Sequence, residues 1–396
     1  MRTSESIAEQ MKPTITFAQE QFLELLRAGL WGKPADPQLF PIGKTDWKEI
    51  FRIAKEQTVQ VLVADGIETL PQENWPPKEA LMHLLMIRVK TAQMHTLVNN
   101  SISQIVSTLN SEGIPSVLLK GQGVAQNYRQ PESRMCGDID LYVGKDNFEK
   151  ASDVLSNQPS VQMKAEIGSD DLHRHFTVNG TELELHHKST SSANKKLDKQ
   201  IDLWTQESLV NHFQDKTLPV VNFNQTPVQI PSATYNAVFI LHHAARHMIT
   251  EGISLRQICD WTMHLHRHHA EINKTELQET LSKLHMSAIW KEFGALAVNI
   301  LNLNPAELSG AENILKTQST QKTTLLLSHL FLSGNFGQYD KNKRNSKETN
   351  ILKRKWHSLC FQTLRFMKIF RLFPLFTLSY SAGWYPSSIT RALKRQ

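Results

Sequence analysis

The chain has 396 residues, a length at which two or three domains of ~150 residues are expected. Apolar residues make up 40% and charged residues 21%, which is enough to bury sizeable cores and excludes a disordered polymer. The formal charge of +6 is unevenly placed: residues 351–396 hold nine Lys and Arg and no Asp or Glu, leaving 35 basic against 38 acidic residues elsewhere. This weakens the case for a basic nucleic-acid surface spread over the whole protein and points to a local partner for the tail.

The first hundred residues read as helical. Phe22, Leu23, Leu25, Leu26 and Leu30 form an apolar stripe, Asp46 caps a helix through Ile50, Phe51, Ile53 and Ala54, and Pro76-Pro77 opens a long helix over 78–109 that Gly113 ends. The period then becomes strand-like: 115–120 is a buried-strand pattern closed by Gly121 and Gly123, with a short helix over 124–128. A second strand is expected at 138–143, a helix at 146–155, and a hairpin at 173–187 turning on Asn179-Gly180. From Pro231 the pattern is helical again, over 233–248, 255–268, 274–284, 289–303 and 322–332. The polar stretch 338–350 reads as a linker.

The expected organisation is therefore an N-terminal helical region (1–112), a small α/β domain (113–230), a C-terminal helical domain (231–337), and a linker with a basic aromatic tail (338–396). The fold class is α+β. Three separated cysteines, Cys136, Cys259 and Cys360, give neither a disulfide framework nor a CxxC knuckle and fit a reducing compartment. Residues 1–17 lack the apolar core of a signal peptide, and no segment has the ~20 apolar residues of a membrane span. The expected location is cytoplasmic.

The chemistry-bearing residues begin with Asp138 and Asp140. On a strand, both carboxylates project from one face and repel unless something positive lies between them. Mg²⁺ fits such a gap, and Glu182 and Glu184, again alternate residues of a strand, offer a further carboxylate. Taken alone, the pair is equally a solvated strand edge.

The run Leu118-Leu-Lys-Gly-Gln-Gly123, then Tyr128, Arg134, Gly137-Asp-Ile-Asp-Leu141 and Glu184-Leu-His186 resembles the nucleotidyltransferase superfamily with a polymerase-β-like minimal domain. It resembles more narrowly the uncharacterised nucleotidyltransferase family found in bacterial polysaccharide and peptide-modification gene clusters. The resemblance implies a small mixed sheet between N-terminal helices and a C-terminal helical domain. It also implies transfer of a nucleoside monophosphate from an NTP, ATP among them, to a sugar, peptide or small-molecule acceptor, with release of pyrophosphate. Asp138, Asp140 and Glu184 would hold Mg²⁺ or Mn²⁺. Lys120, Gly121, Arg134 and Gly137 would contact the nucleotide. Most members of the superfamily carry Gly-Ser where this chain has Lys120-Gly121, so the lysine would act as a point charge on the phosphates. Nothing in the chain identifies a nucleic-acid reader.

The resemblance extends to 241–247 and 255–260. There His247 and Arg256 are candidate nucleotide contacts, and Asp260 is either a general base for the acceptor or a packing carboxylate. His243 and His247 have metal-ligand spacing, but HExxH is absent because Ala244 follows His243. The histidines of 264–269 read as a solvated helix end. The competing expectation is a non-catalytic regulatory or assembly protein on the same fold. In the tail, Leu352, Trp356, Leu359, Phe366, Phe370 and Phe373 form an apolar line with most cations off it. That pattern describes either a packed helix or a peripheral contact with the inner face of a membrane.

Overall fold

The computed structural model describes residues 15–164, 173–192, 194–215, 217–310, 321–337 and 351–394. The expectations for 1–14 and for the linker at 338–350 lie outside the described residues. The chain divides into two compact units: one comprises Met1–Leu85, Ala244–Thr262 and Ala288–Pro374, the other Met86–His243, Met263–Ser287 and Leu375–Gln396. The class is α+β, with a seven-stranded mixed sheet and helices before and after it in the chain.

In the helical unit, α1 (Phe17–Trp31) starts at a reciprocal cap between Thr16 and Gln19 and stops at Gly32, which is left-handed at φ 63°. The expected Asp46 cap opens α2 (Trp47–Glu56). No amphipathic period marks α3 (Gln60–Ile67) in the sequence, because its mostly apolar residues lack a polar face. Next comes α4 (Lys78–Ser111), which contributes residues 78–85 here and its remainder to the mixed unit.

The mixed unit carries the sheet. Its elements are β1 (Val117–Leu118), α5 (Gln122–Ala125), β2 (Ile139–Tyr142), α6 (Phe148–Ser156), β3 (Val161–Met163), β4 (His173–Val178) and β5 (Thr181–His186). The helices α7 (Lys195–Thr205) and α8 (Asn211–Gln214) follow, then the hairpin β6 (Val220–Phe223) and β7 (Thr226–Gln229). The strand order is β3-β4-β5-β2-β1-β7-β6. The β2/β5 and β1/β7 pairs are parallel and the others antiparallel. Asn179 and Gly180 both have positive φ, 49° and 82°, as a two-residue hairpin turn requires. One sheet face is apolar: Ile139, Leu141, Phe176, Val178, Leu183 and Leu185 join Val98, Ile102, Ile105 and Leu109 of α4 in one core. Period-2 alternation therefore sends Asp140, Glu184, His186, His173 and His175 to the opposite face.

The later helices are α9 (Ala233–Thr250), α10 (Leu255–His268), α11 (Lys274–Lys283), α12 (Ser287–Asn299), α13 (Gln321–Ser333), α14 (Ile351–Phe370) and α15 (Pro374–Lys394). Among the described residues no helix is long and apolar enough to cross a membrane. The basic tail packs. Phe366, Ile369, Leu372 and Phe373 are buried, Gln362 Nε2 donates to Ile249 O at 2.8 Å, and Arg365 Nε donates to Met248 O at 3.0 Å. Two carbonyls at the C-terminal end of α9 thus receive side-chain donors. The buried face takes Phe366 and Phe373 from the apolar line expected from the sequence but not the rest of it, since Trp356 is 65% exposed and Phe370 43% exposed while Arg365 is buried.

His264 corrects another expectation. It is buried in the core and its Nε2 donates to Ala233 O at 2.9 Å, so it does not belong to a solvated helix end. Burial pushes its imidazole down to about 4 from an ordinary 6.5. A group whose folded pKa is depressed contributes stability above its unfolded pKa and loses it as pH falls toward the folded value. Acidification from pH 8 to pH 5 is therefore expected to remove about 2 kcal/mol through this residue. Urea titrations of wild type and His264→Gln at both pH values check this: the variant should lose that part of the pH dependence, and parallel profiles would contradict the assignment.

Candidate active site

Asp138 immediately precedes β2 and Asp140 is its second residue, so the strand begins one residue later than the sequence suggests. In the parallel β2/β5 register Asp140 pairs with Glu184, and in the antiparallel β4/β5 register His175 pairs with Glu184 and His173 with His186. One sheet face thus carries two polar rows: His175, Glu184 and Asp140 in one, His173, His186 and Tyr142 in the next.

Asp140 is only 1% exposed, yet two cationic groups reach its Oδ1: Lys120 Nζ at 2.9 Å and His186 Nε2 at 3.0 Å. His186 Nε2 also lies 3.3 Å from Glu184 Oε2. Burial opposes ionisation of Asp140, but the Lys120 ammonium and the His186 imidazole overcome it and hold the carboxyl below the usual range. The same balance lowers Glu184 against its own burial, chiefly through His186. Desolvation works against the charged forms of Lys120 and His186, and the surrounding carboxylates still raise both. Asp138 moves the other way: the neighbouring Asp140 charge, then burial, pushes it up. Three carboxylates crowd one ammonium and one imidazole, so the cluster is rich in negative charge, and the repulsion shows at Asp138.

Lys120 is positioned by the turn after β1. Leu119 N donates to Asp140 O at 3.0 Å, and Gly121 follows at φ 56°, ψ −116°. That conformation is open to glycine, and an added Cβ would stand 3.1 Å from Asp138 O. The expectation for Gly121 thus has a backbone reason, whereas a Cβ at Gly137 would meet nothing within 4 Å. Arg134 is buried, at 5% exposure, and its carbonyl accepts from His95 Nε2 at 2.7 Å. Gln122 Nε2 donates to His95 Nδ1 at 3.0 Å and to Asn99 Oδ1 at 2.7 Å, which fixes the Nε2–H tautomer and ties α4 and α5 to the segment before β2. No sequence signal separated His95 from an ordinary core histidine. Glu182 is exposed and paired with Lys164.

His247, Arg256 and Asp260 belong to the helical unit, so the site is described from residues of the mixed unit. His247 Nδ1 lies 3.4 Å from Glu251 Oε2, and Asp260 is buried in α10. Among the described residues, two groups could hold a metal ion: Asp138, Asp140 and Glu184, and His173, Glu184 and His186. The His243/His247 spacing produces none. Sequence reasoning found the first group and missed the second, although the strand alternation that places Glu184 beside Asp140 also places His173, His175 and His186 on that face.

A sheet that gathers three carboxylates with a lysine and a histidine on one polar face has the donor set of a divalent-cation and phosphate site. The chain belongs to the family described as uncharacterised nucleotidyltransferase, whose model matches residues 43–302. It is accordingly a transferase of the nucleotidyltransferase class. Neither curated proteins nor solved structures gave a match.

Proposed function

We propose that the protein transfers a nucleoside monophosphate from an NTP to a sugar, peptide or small-molecule acceptor, with Asp138, Asp140 and Glu184 holding Mg²⁺ or Mn²⁺. The supporting observation is the convergence of that triad, whose ligand atoms lie within 4.8 Å of one another. The residues fit a hard dication, which would offset the negative charge of the clustered carboxylates and let the site accept a polyphosphate. When bound, such an ion supplies charge neutralisation on the phosphates and a more acidic acceptor hydroxyl.

The chain's own groups do the rest. The Lys120 ammonium, now held by Asp140, becomes available to phosphate oxygens when the carboxylate is shared with a cation. Gly121 lets phosphate approach the backbone without a Cβ in the way. Arg134, held through its carbonyl by His95, and Gly137 are proposed as further nucleotide contacts. For the helical unit, His247 and Arg256 are proposed as nucleotide contacts and Asp260 as a base for the acceptor. Substitution of each, read as KM against kcat, checks those roles.

The deciding experiment incubates full-length protein with each labelled NTP, Mg²⁺ or Mn²⁺, and panels of sugars, peptides and small hydroxyl compounds, reading pyrophosphate release. Turnover should require the divalent ion and disappear in Asp138→Asn. Absence of nucleotide binding, together with an unaltered cellular function in Asp138→Asn, would instead favour a regulatory protein on this fold.

The tail adds a second proposed partner. Trp356, Met367 and Phe370 are exposed on one side of α14, flanked by exposed Lys353 and Arg371, a pattern suited to an anionic membrane surface. Trp356→Ser/Met367→Ser is expected to reduce flotation with anionic vesicles severalfold without affecting the buried face. Equal flotation would remove the membrane contact.

A further inference from the structure

The polar sheet face holds more nitrogen donors than a triad of carboxylates for Mg²⁺ calls for. His173 Nε2 lies 3.8 Å from Glu184 Oε1, and His186 Nε2 lies 3.3 Å from Glu184 Oε2. Ligands ~2.0–2.2 Å from one cation stand ~3–4 Å from each other, so these edges suit a single ion. His175 is within reach of the same carboxylate, with Nδ1 3.8 Å from Glu184 Oε1. The His173 and His175 Nε2 atoms are 3.0 Å apart, a separation at which two imidazoles share at most one proton.

The strands explain why these groups meet. His173 and His186 are cross-strand partners, and Glu184 stands two residues before His186 on the same face. Glu184 therefore meets imidazoles with both oxygens, Oε1 with His173 and His175 and Oε2 with His186, while one of those oxygens also lies within 4.8 Å of the Asp138 and Asp140 ligand atoms. Mg²⁺ favours oxygen and keeps several waters, whereas imidazole suits the later first-row dications, whose affinity for such a site rises from Mn²⁺ through Fe²⁺ and Co²⁺ to Cu²⁺ and falls back at Zn²⁺.

We infer that His173, Glu184 and His186 form a second cation position, selective for a transition-metal dication over Mg²⁺ and sharing Glu184 with the carboxylate triad. The inference rests on the transferase reading only through that shared residue. It adds a nitrogen-ligated ion beside the oxygen-ligated one, and because His186 Nε2 carries the proton it shares with Asp140, the entering ion displaces that proton to solvent.

The test is direct binding of Co²⁺ and Mn²⁺ to the full chain without nucleotide. Wild type should bind Co²⁺ with the visible absorption of a nitrogen-ligated site, and bound Mn²⁺ should show ¹⁴N coupling by pulsed electron paramagnetic resonance; millimolar Mg²⁺ should displace neither. His173→Gln should weaken Co²⁺ by more than about tenfold and remove part of the nitrogen coupling, since even outer-shell changes cost ~10–100-fold. Asp138→Asn, which leaves the three ligands in place, should retain the signal and serves as the control should His173→Gln fold poorly. Oxygen-only ligation in wild type, complete displacement by Mg²⁺, or unchanged affinity in a folded His173→Gln protein would overturn the inference. Mg²⁺-supported pyrophosphate release with no nitrogen-ligated ion would sink this site and leave the transferase standing. A nitrogen-ligated ion with no nucleotide turnover would do the reverse.

Discussion

Asp140→Asn is expected to destabilise the mixed unit by about 3–5 kcal/mol, the cost of breaking a buried ion pair by removing one partner, whereas Asp138→Asn is expected to leave stability unchanged or raise it. Asp140 is buried and receives both Lys120 and His186 at its Oδ1. An amide there strands an ammonium and an imidazolium in a low-dielectric setting. Asp138 keeps solvent access that Asp140 lacks, and the crowded cluster adds desolvation to the Asp140 repulsion that raises its pKa, so neutralising it relieves repulsion. Both variants should lose at least about 10²-fold in turnover, the scale on which a preorganised electrostatic group acts. Urea unfolding, with hydrogen exchange read at the amides of Leu141 and Leu185, separates the two effects. A destabilised Asp138→Asn or a wild-type-like Asp140→Asn would contradict the charge assignment.

The pH dependence of the same cluster has two limbs of opposite sign. The depressed Asp140 carboxyl contributes stability that is present above the ordinary carboxylate range and lost as pH falls through its folded value. The raised His186 imidazole contributes stability that is complete below the ordinary histidine value of 6.5 and lost as pH rises through its folded value. The cluster is therefore most stabilising on the acid side of neutrality, above the carboxylate range.

The carboxylates were legible because strand alternation is strict: two residues apart on a strand means one face. The same rule applied to His173, His175 and His186 shows three imidazoles converging on Glu184, whereas the metal-ligand spacing of histidines was sought on a helix, at His243 and His247. The pairing of Lys120 with Asp140 was not legible, because it depends on β1 and β2 being neighbours in register, with Val117 opposite Tyr142 and Leu118 opposite Leu141. His95 depends on contacts across α4, α5 and the loop before β2, which no local pattern encodes. For the fold, long periodic helices such as α4 and the Asn179-Gly180 hairpin were readable. The β6/β7 hairpin was not, because its turn is Asn224-Gln225, with a glutamine at φ 68° where glycine is the usual signal. The compact units are assembled from separated segments, an arrangement that a reading along the chain does not express.

The helical unit offers the sharpest structural test. α1 and α3 cross where two glycines face carbonyls: a Cβ on Gly29 would stand 1.9 Å from Leu62 O, and a Cβ on Gly66 would stand 2.1 Å from Leu25 O. Neither glycine has positive φ, so the requirement is close approach of the helix backbones and not backbone conformation. Because the obstructing atoms are main chain, no rotamer change relieves the contact, and the helices must separate. Separation loosens the packing of Leu25, Leu26, Leu62 and Val63, all buried. Gly29→Ala and Gly66→Ala are each expected to destabilise by at least about 3 kcal/mol, toward or beyond the upper end of overpacking costs, despite alanine's better helix propensity. Gly137→Ala, with open space around the new methyl, should change stability by less than about 0.5 kcal/mol and report only on nucleotide turnover. The double variant Gly29→Ala/Gly66→Ala should cost much less than the sum of the singles, because the first methyl already parts the helices. Additive costs would mean that the two glycines relieve independent contacts and that this crossing is not their common cause.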